Sequence, residues 1–419
     1  MNPIPSNSLS SAIDAAVASI ESTMLMWRRD LHQHPELGNH EQRTAGIVAK
    51  QLRKLGLRVR TGVAHTGVIA VLRGSADRPV VALRADMDAL PITEETGLPF
   101  ASRVRTTYQG NEVGVMHACG HDAHTAILLG VAEALASVRD RLPGTVLFLF
   151  QPAEEGPPPG ERGGAALMLE EGAFDDPKPD AVFGLHVSAF QNFGEIGLVP
   201  GAAMASSDRL TVRVKGRGGH AGYPWRAIDP IPLAAQIVLA LEALPARQVD
   251  ARVGSVVSFG QIHGGVRYNI LPDEVELSGT IRALSPEIRE QLHERIGRTA
   301  RAIAESAGAT AEIEIKDGNP ITWNDRDLAR RIRPTLERVA GADQVVEPLP
   351  WTGAEDFSLY QERVPGVFLF LGTNPPGVAT ADAAPNHSPR FVLDEAALEV
   401  GVRALAALAV DTLSAPSSQ

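Results

Sequence analysis

Between about residue 60 and residue 190 the chain alternates short, apolar, β-branched runs with stretches of helical periodicity, and this alternation restricts the fold more than any other feature. Val68–Leu72 and Val80–Leu83 are bounded by Gly, Pro and Asp and read as strands. Thr125–Leu142 has helical spacing and stops at Pro143-Gly144, and Thr145–Phe150, rich in Val, Leu and Phe, is then a buried strand. Gly163–Glu171 reads as helix and Ala181–Val187 as another strand, ending near His186. Upstream, residues 11–55 read as helix, with Ile13, Val17 and Ile20 at helical spacing and Gly56 as the stop. Such alternation implies an α/β domain with a mixed, partly parallel sheet. Ligands in such sheets gather at strand carboxyl ends. Asp86 and Asp88, Glu154 and Glu155, and His186 all fall there.

The rhythm changes after residue 205. Leu210–Lys215 alternates as a strand and Pro232–Leu244 is helical. Gly254–Gln261 and Val275–Arg282 are strands, with Gly264-Gly265 and Pro272-Asp273 between them. Pro286–Ala307 is a long amphipathic helix and Thr310–Ile315 a final strand. The order β-α-β-β-α-β is that of the ferredoxin-like split unit. We therefore expect a catalytic domain over 1–205, an inserted α+β domain over 206–317, and a return to the first domain over 318–419. The return uses strand Val367–Leu371 and helix Asp394–Leu413, and Ser414–Gln419 reads as a frayed tail.

A chain of 419 residues agrees with two domains. Its formal net charge of −11, with no long basic run, argues against nucleic acid or an anionic membrane as the partner. No apolar run approaches the roughly 20 residues that span a bilayer, and no signal-peptide core precedes residue 20. The single cysteine, Cys119, excludes an intrachain disulfide and fits a reducing compartment. A cytoplasmic enzyme acting on a small molecule is the expectation.

The densest cluster of metal-ligand types is Met116-His117-Ala118-Cys119-Gly120-His121-Asp122-Ala123-His124. Gly120 permits a tight turn that aims Cys119 and His121 at one point, and the following Asp can orient a histidine ring. Taken alone, Cys119 is equally a small buried hydrophobe. Glu154 and Glu155 follow a strand too apolar to lie at the surface, a poor place for two carboxylates unless a cation neutralises one. The other can then take a proton from water that the metal has acidified. A solvated loop pair is the bland alternative. His186 reads equally as a satisfied core histidine, His387 in Asn386-His387-Ser388-Pro389 as an exposed loop residue, and Asp86 and Asp88 as solvated aspartates. Together these donors suit zinc, manganese, cobalt or nickel rather than calcium.

The ordered series Asp-Met-Asp-Ala-Leu-Pro, His-Ala-Cys-Gly-His-Asp, Gln-Pro-Ala-Glu-Glu-Gly, Gly-Leu-His, Gly-Gly-His-Ala, Ile-His-Gly-Gly-Val-Arg-Tyr-Asn and Gly-Ala-Glu-Asp-Phe resembles one family. It is the aminoacylase and carboxypeptidase family of dinuclear metallopeptidases, in the branch of hippurate and auxin-conjugate hydrolases. The likeness runs over roughly residues 20–410. It implies Cys119, His121, Glu155, His186 and His387 as ligands of two divalent ions per subunit, and Glu154 as general base. It implies supporting acidic positions at Asp88 and Asp122, and an oxyanion donor at His220, often supplied by a partner subunit in relatives. Asn269 and Arg282 match positions that contact a substrate carboxylate, and the inserted domain matches a lid through which homo-oligomers form.

Two segments depart from the commoner pattern: the stretched loop Pro157–Arg162, and Tyr223-Pro224-Trp225 after His220, where a histidine often follows the proline. Tyr223 and Trp225 suit a pocket for a bulky acyl group, or equally a hinge or interface. The reaction expected is hydrolysis of an N-acyl amino acid or related carboxylate-bearing amide. The alternatives are a dipeptidase or carboxypeptidase on the same site, a cysteine hydrolase using Cys119, and a non-catalytic binding scaffold.

Overall fold

The computed structural model describes residues 6–415, so most of the tail expected to fray lies outside the described residues. The chain divides into two compact units: Met1–Gly201 with Asn324–Pro348 and Leu359–Gln419, and Ala202–Trp323 with Leu349–Ser358.

The first unit begins with α1 (Ser6–Gln33) and α2 (Gln42–Lys54). The single helix expected over 11–55 is thus two. Pro35 lacks the N–H a continuing helix needs, Asn39 takes a left-handed φ of 62, and Leu37 instead bridges to Ala89. Glu36 caps the restart, its carboxylate accepting from the N–H groups of Arg43 (2.9 Å) and Thr44 (2.8 Å). Ile13, Val17 and Ile20 are buried, as their spacing requires.

Strands β1 (Arg58–Val63), β2 (Gly67–Arg73) and β3 (Val80–Asp86) follow, then α3 (His121–Ser137), β4 (Thr145–Gln151) and β5 (Ala181–Asn192). In the second unit come β6 (Ser206–Lys215), α4 (Pro230–Glu242), β7 (Ser255–Gly264), β8 (Glu274–Ala283), α5 (Pro286–Glu305) and β9 (Thr310–Asp317). The chain then returns to the first unit through α6 (Arg326–Ala340), β10 (Gly366–Asn374) and α7 (Ala397–Ser414).

The first unit carries an eight-stranded sheet in the order β1-β2-β4-β3-β5-β10, completed by the two-residue strands Ile196–Gly197 and Val345–Val346. Its centre, β4-β3-β5-β10, is parallel, and β1 and β2 are antiparallel to their neighbours. Every residue of β3, β4 and β10 is buried, matching their unbroken apolar runs. Helix α3 is buried on nearly all sides, packed on α1, α7 and β3. Its N-terminus therefore meets the sheet where β3 and β4 end side by side, Asp86 opposite Gln151. His186 does not end its strand: β5 runs on to Asn192 because β10 extends beside it, with His186 opposite Phe370.

The second unit is a four-stranded antiparallel sheet, β7-β8-β6-β9, with α4 and α5 packed on it, the split β-α-β order. Leu210, Val212, Val214, Leu277 and Ile281 meet Leu233, Ile237, Leu292 and Ile296 in its core. Each such side chain contributes about 1.5–3 kcal/mol when fully buried. Among the described residues no helix is long and apolar enough to cross a membrane.

Candidate metal centre

At the carboxyl edge of the parallel strands the backbone turns sharply three times, each time to present a donor. Gly120, the N-cap of α3, has φ 91, and a Cβ there would lie 2.3 Å from Val187 Cγ2. Only glycine fits both the conformation and the space. The turn sets Cys119 on one side and His121, the first residue of α3, on the other. Ala153 (φ 52) redirects the chain leaving β4 before Glu154 and Glu155, and His387 itself has φ 69. His387 is anchored by its N–H donating to Ala118 O at 2.8 Å.

The donors converge. Cys119 Sγ lies 3.3 Å from both His186 Nε2 and His387 Nε2, and Glu155 Oε1 lies 3.0 Å from His387 Nε2. Ligand atoms of Cys119, His121 and His186 form one group within 4.8 Å, as do those of Cys119, Glu155 and His387, and of His121, Glu154 and Glu155. Three overlapping groups sharing Cys119, His121 and Glu155 are the pattern a pair of neighbouring cations would occupy.

Second partners set the ring orientations. His121 Nδ1 hydrogen-bonds Asp88 Oδ1 (3.2 Å), and His186 Nδ1 donates to Val187 O (2.8 Å). That leaves each Nε2 with its lone pair for a cation. His121 Nε2 is buried without a hydrogen-bond partner among the described residues, with Glu155 Oε1 at 4.0 Å. Such an orphaned polar atom costs free energy unless a partner meets it. The donor set, one thiol, imidazoles and carboxylates, fits a borderline divalent metal.

The electrostatics agree. Burial, then Glu155 and Glu154, push the Cys119 thiol well above its ordinary value. Burial also drives His186 well below its usual value. For His121 burial works downward, but Asp86 and Asp88 carry it up to about 10. A divalent cation is the charge that would displace the proton from His121 Nε2 and deprotonate the thiol outright.

One expectation is corrected in detail. Asp122 does not orient a ligand histidine. Its carboxylate takes His32 Nδ1 (2.8 Å) and Arg28 Nε (2.9 Å) from α1, because one residue along a helix turns the side chain by about 100°. Asp88 does that work instead, holding the His121 ring through Oδ1 and the Glu155 N–H through Oδ2 (2.9 Å). Asp86 belongs to His124 (2.6 Å) and Arg84 (2.6 Å). His124 in turn accepts from Val187 N–H (2.9 Å), so both its nitrogens are used.

The reading of the sequence missed Asn386, whose side-chain amide donates to Cys119 O (3.1 Å) and Val187 O (3.3 Å) and so staples two ligand-bearing segments. Its place beside His387 was the available signal. In the second unit, His220 pairs with Ile270, and Ala221 N–H donates to Asn269 O (3.2 Å), which brings His220 and Asn269 together. Arg282 lies on β8 opposite Ser207 and Val256, half-buried, and is not part of that pair.

A parallel sheet with soft and hard donors gathered at its carboxyl edge, and two adjacent glutamates among them, defines a metal-dependent hydrolase. The sequence matches Peptidase family M20/M25/M40 over residues 82–411, and the chain belongs to that family. It is a metal-dependent amidohydrolase or metallopeptidase. Thermostable carboxypeptidase 1 of Saccharolobus solfataricus is 40% identical over 396 residues, covering 94% of this chain and 96% of that protein. The N-acetylcysteine deacetylase of Bacillus subtilis is 39% identical, covering 94% and 98%. The crystal structure of the Bacillus subtilis YXEP protein, described as a dinuclear metal binding peptidase, superposes with a TM-score of 0.79 at 37% identity, covering 94% of this chain and 99% of that one.

Proposed function

We propose that this enzyme hydrolyses N-acyl amino acids and related carboxylate-bearing amides, holding two divalent ions (zinc, manganese, cobalt or nickel) through Cys119, His121, Glu155, His186 and His387. The observation that carries the reading is the difference between the adjacent glutamates. Glu155 is tied into the cluster by Asp88 at its N–H and by His387 at its carboxylate. Glu154, half-buried, stands beside it, its carboxylate grouped with His121 and Glu155. When bound, the metal pair supplies positive charge that acidifies water and polarises an amide carbonyl. Glu154 takes the proton of the attacking water on its carboxylate and returns it to the leaving amine nitrogen.

His220 contributes a donor. Its Nδ1 accepts from Gly222 N–H (2.9 Å), so the ring proton sits on Nε2 and can stabilise an oxyanion. Asn269 and Arg282 are read as contacts for the substrate carboxylate. The raised thiol supports Cys119 as ligand rather than nucleophile. The names of the relatives support both deacylation and carboxypeptidase action, and turnover of N-acyl amino acids against dipeptides, read by mass spectrometry, separates them. We also read the second unit as a lid and association surface: Ile231 and Leu239 of α4 are exposed, and β7 is a sheet edge. Light scattering tests it. A reduced ligand thiol supports a cytoplasmic setting.

The deciding experiment is metal-loaded Glu154→Ala. Turnover should fall at least about 10²-fold with metal content intact; retained turnover overturns the general-base reading. Activity that survives complete chelation would favour the cysteine hydrolase, and no product with any metal would favour a binding scaffold. His220→Ala should lower kcat by about 10²–10³-fold while metal content and Tm hold.

A further inference from the structure

We propose that Glu41 is a positioning residue for the general base: together with Asp88 it clamps the backbone N–H groups of Ala153 and Glu155, the residues on either side of Glu154. This inference rests on the reading of Glu154 as general base. Ala153 has φ 52, a left-handed conformation that residues other than Gly, Asn and Asp seldom adopt. Something outside the turn must impose it. The Ala153 N–H donates to Glu41 Oε1 at 2.9 Å, and on the other side of Glu154 the Glu155 N–H donates to Asp88 Oδ2 at 2.9 Å. The N–H groups of the residues before and after Glu154 are therefore each tied to a buried carboxyl group from a distant segment. The turn is also backed by Gly38, where an added Cβ would lie 3.1 Å from Ala153 Cβ and 3.0 Å from Gly156 O.

Glu41 has no competing duty at its own helix. It occupies the N-cap position of α2 yet makes no side-chain cap, because Glu36 caps that helix. Its second oxygen accepts from Thr66 Oγ1 at 2.5 Å. The side chain is fully buried. Burial, and then Asp88, push its carboxyl up to about 8, so at neutral pH it is held mainly as the uncharged acid. An uncharged buried acid that accepts from a strained backbone amide serves geometry rather than charge. Glutamine should then replace it, since its carbonyl can accept from Ala153 and its amide can donate to Thr66.

The test uses the full-length, metal-loaded enzyme. Glu41→Ala should lower kcat by about 10- to 100-fold, the range for groups that orient a reacting residue, with KM little changed and metal content full. Glu41→Gln should restore kcat to within a few-fold of wild type. Should Glu41→Ala fail to fold, Gly38→Ala presses the same turn from the other side and should lower kcat in the same way. A folded, metal-loaded Glu41→Ala with wild-type kcat overturns the clamp, as does a loss that merely tracks the folded fraction, or a glutamine variant as impaired as alanine. Glu154→Ala is the control. Full turnover there overturns the general-base reading and the clamp with it, whereas a dead Glu154→Ala beside an unaffected Glu41→Ala overturns the clamp alone.

Discussion

Each unit of the molecule contains a buried meeting of histidine and carboxylate, and the two are balanced in opposite ways. In the second unit Asp208 receives Arg289 through Nε (3.0 Å) and through a second guanidinium nitrogen (2.5 Å), His293 Nε2 (2.8 Å) and Gly318 N–H (3.2 Å). Arg289 also reaches Asp317 at 3.1 Å. Every lone-pair direction of Asp208 is met by a donor, and a resident guanidinium supplies the positive charge. In the first unit the ligand atoms of Cys119, Glu155, His121 and His186 converge on one another and on His387. Residue type alone therefore does not make a metal site. An unfilled need for positive charge does, and Asp208, His293 and Asp317 lack that need although their ligand atoms are equally close.

The largest effect expected from this difference is at Glu155. Glu155→Ala should strip metal from the first unit and lower turnover by more than about a thousandfold, because the charge that activates water is lost. Metal analysis after gel filtration, alongside initial rates, measures both. Asp208→Asn should keep full metal content in the same assay. If it lost metal as Glu155→Ala does, the contrast between the clusters would be wrong.

Asn386→Ala comes next. It removes the staple between the Cys119 carbonyl and β5 while sparing every ligand. Metal affinity should fall by about 10- to 100-fold, so activity should return when excess metal is added. Competition against a chromophoric chelator gives the constant. An unchanged affinity would mean that the turns at Gly120 and His387 suffice to hold the ligands.

Which parts of this were legible beforehand follows from chain distance. Cys119, Gly120 and His121 are contiguous, and so are Glu154 and Glu155, so the chemistry of each pair could be read locally. The strands were legible because β3, β4 and β10 are buried on both faces and carry unbroken apolar runs. The break at Pro35 was overridden by helical spacing on both sides of it. Asp122 was misjudged because adjacency in sequence is not adjacency on a helix. Asp88 meets His121 from 33 residues away, and Glu41 meets Ala153 from 112. No periodicity within either segment encodes such a meeting, and it exists only once the sheet has set its strand order.

The smallest expected effect concerns pH and the second cluster alone. Burial opposes ionisation of Asp208, but His293 and Arg289 prevail and hold its carboxyl well below the usual carboxylate range. A depressed folded-state pKa stabilises the fold at pH values above the unfolded aspartate pKa of about 3.9 and loses that contribution as pH falls toward the folded value. Breaking a buried, partnered charge typically costs about 3–5 kcal/mol. Asp208→Asn should therefore destabilise the second unit by an amount in or somewhat below that range near neutrality, Arg289 being partly exposed. The deficit relative to wild type should shrink below about pH 4. Trp225, Trp323 and Trp351 belong to this unit and only Trp27 to the other, so urea unfolding followed by tryptophan fluorescence reports mainly on it. A deficit that stayed constant from neutral to acid pH would show that Asp208 contributes shape rather than charge, and the two clusters would then differ less than their partners suggest.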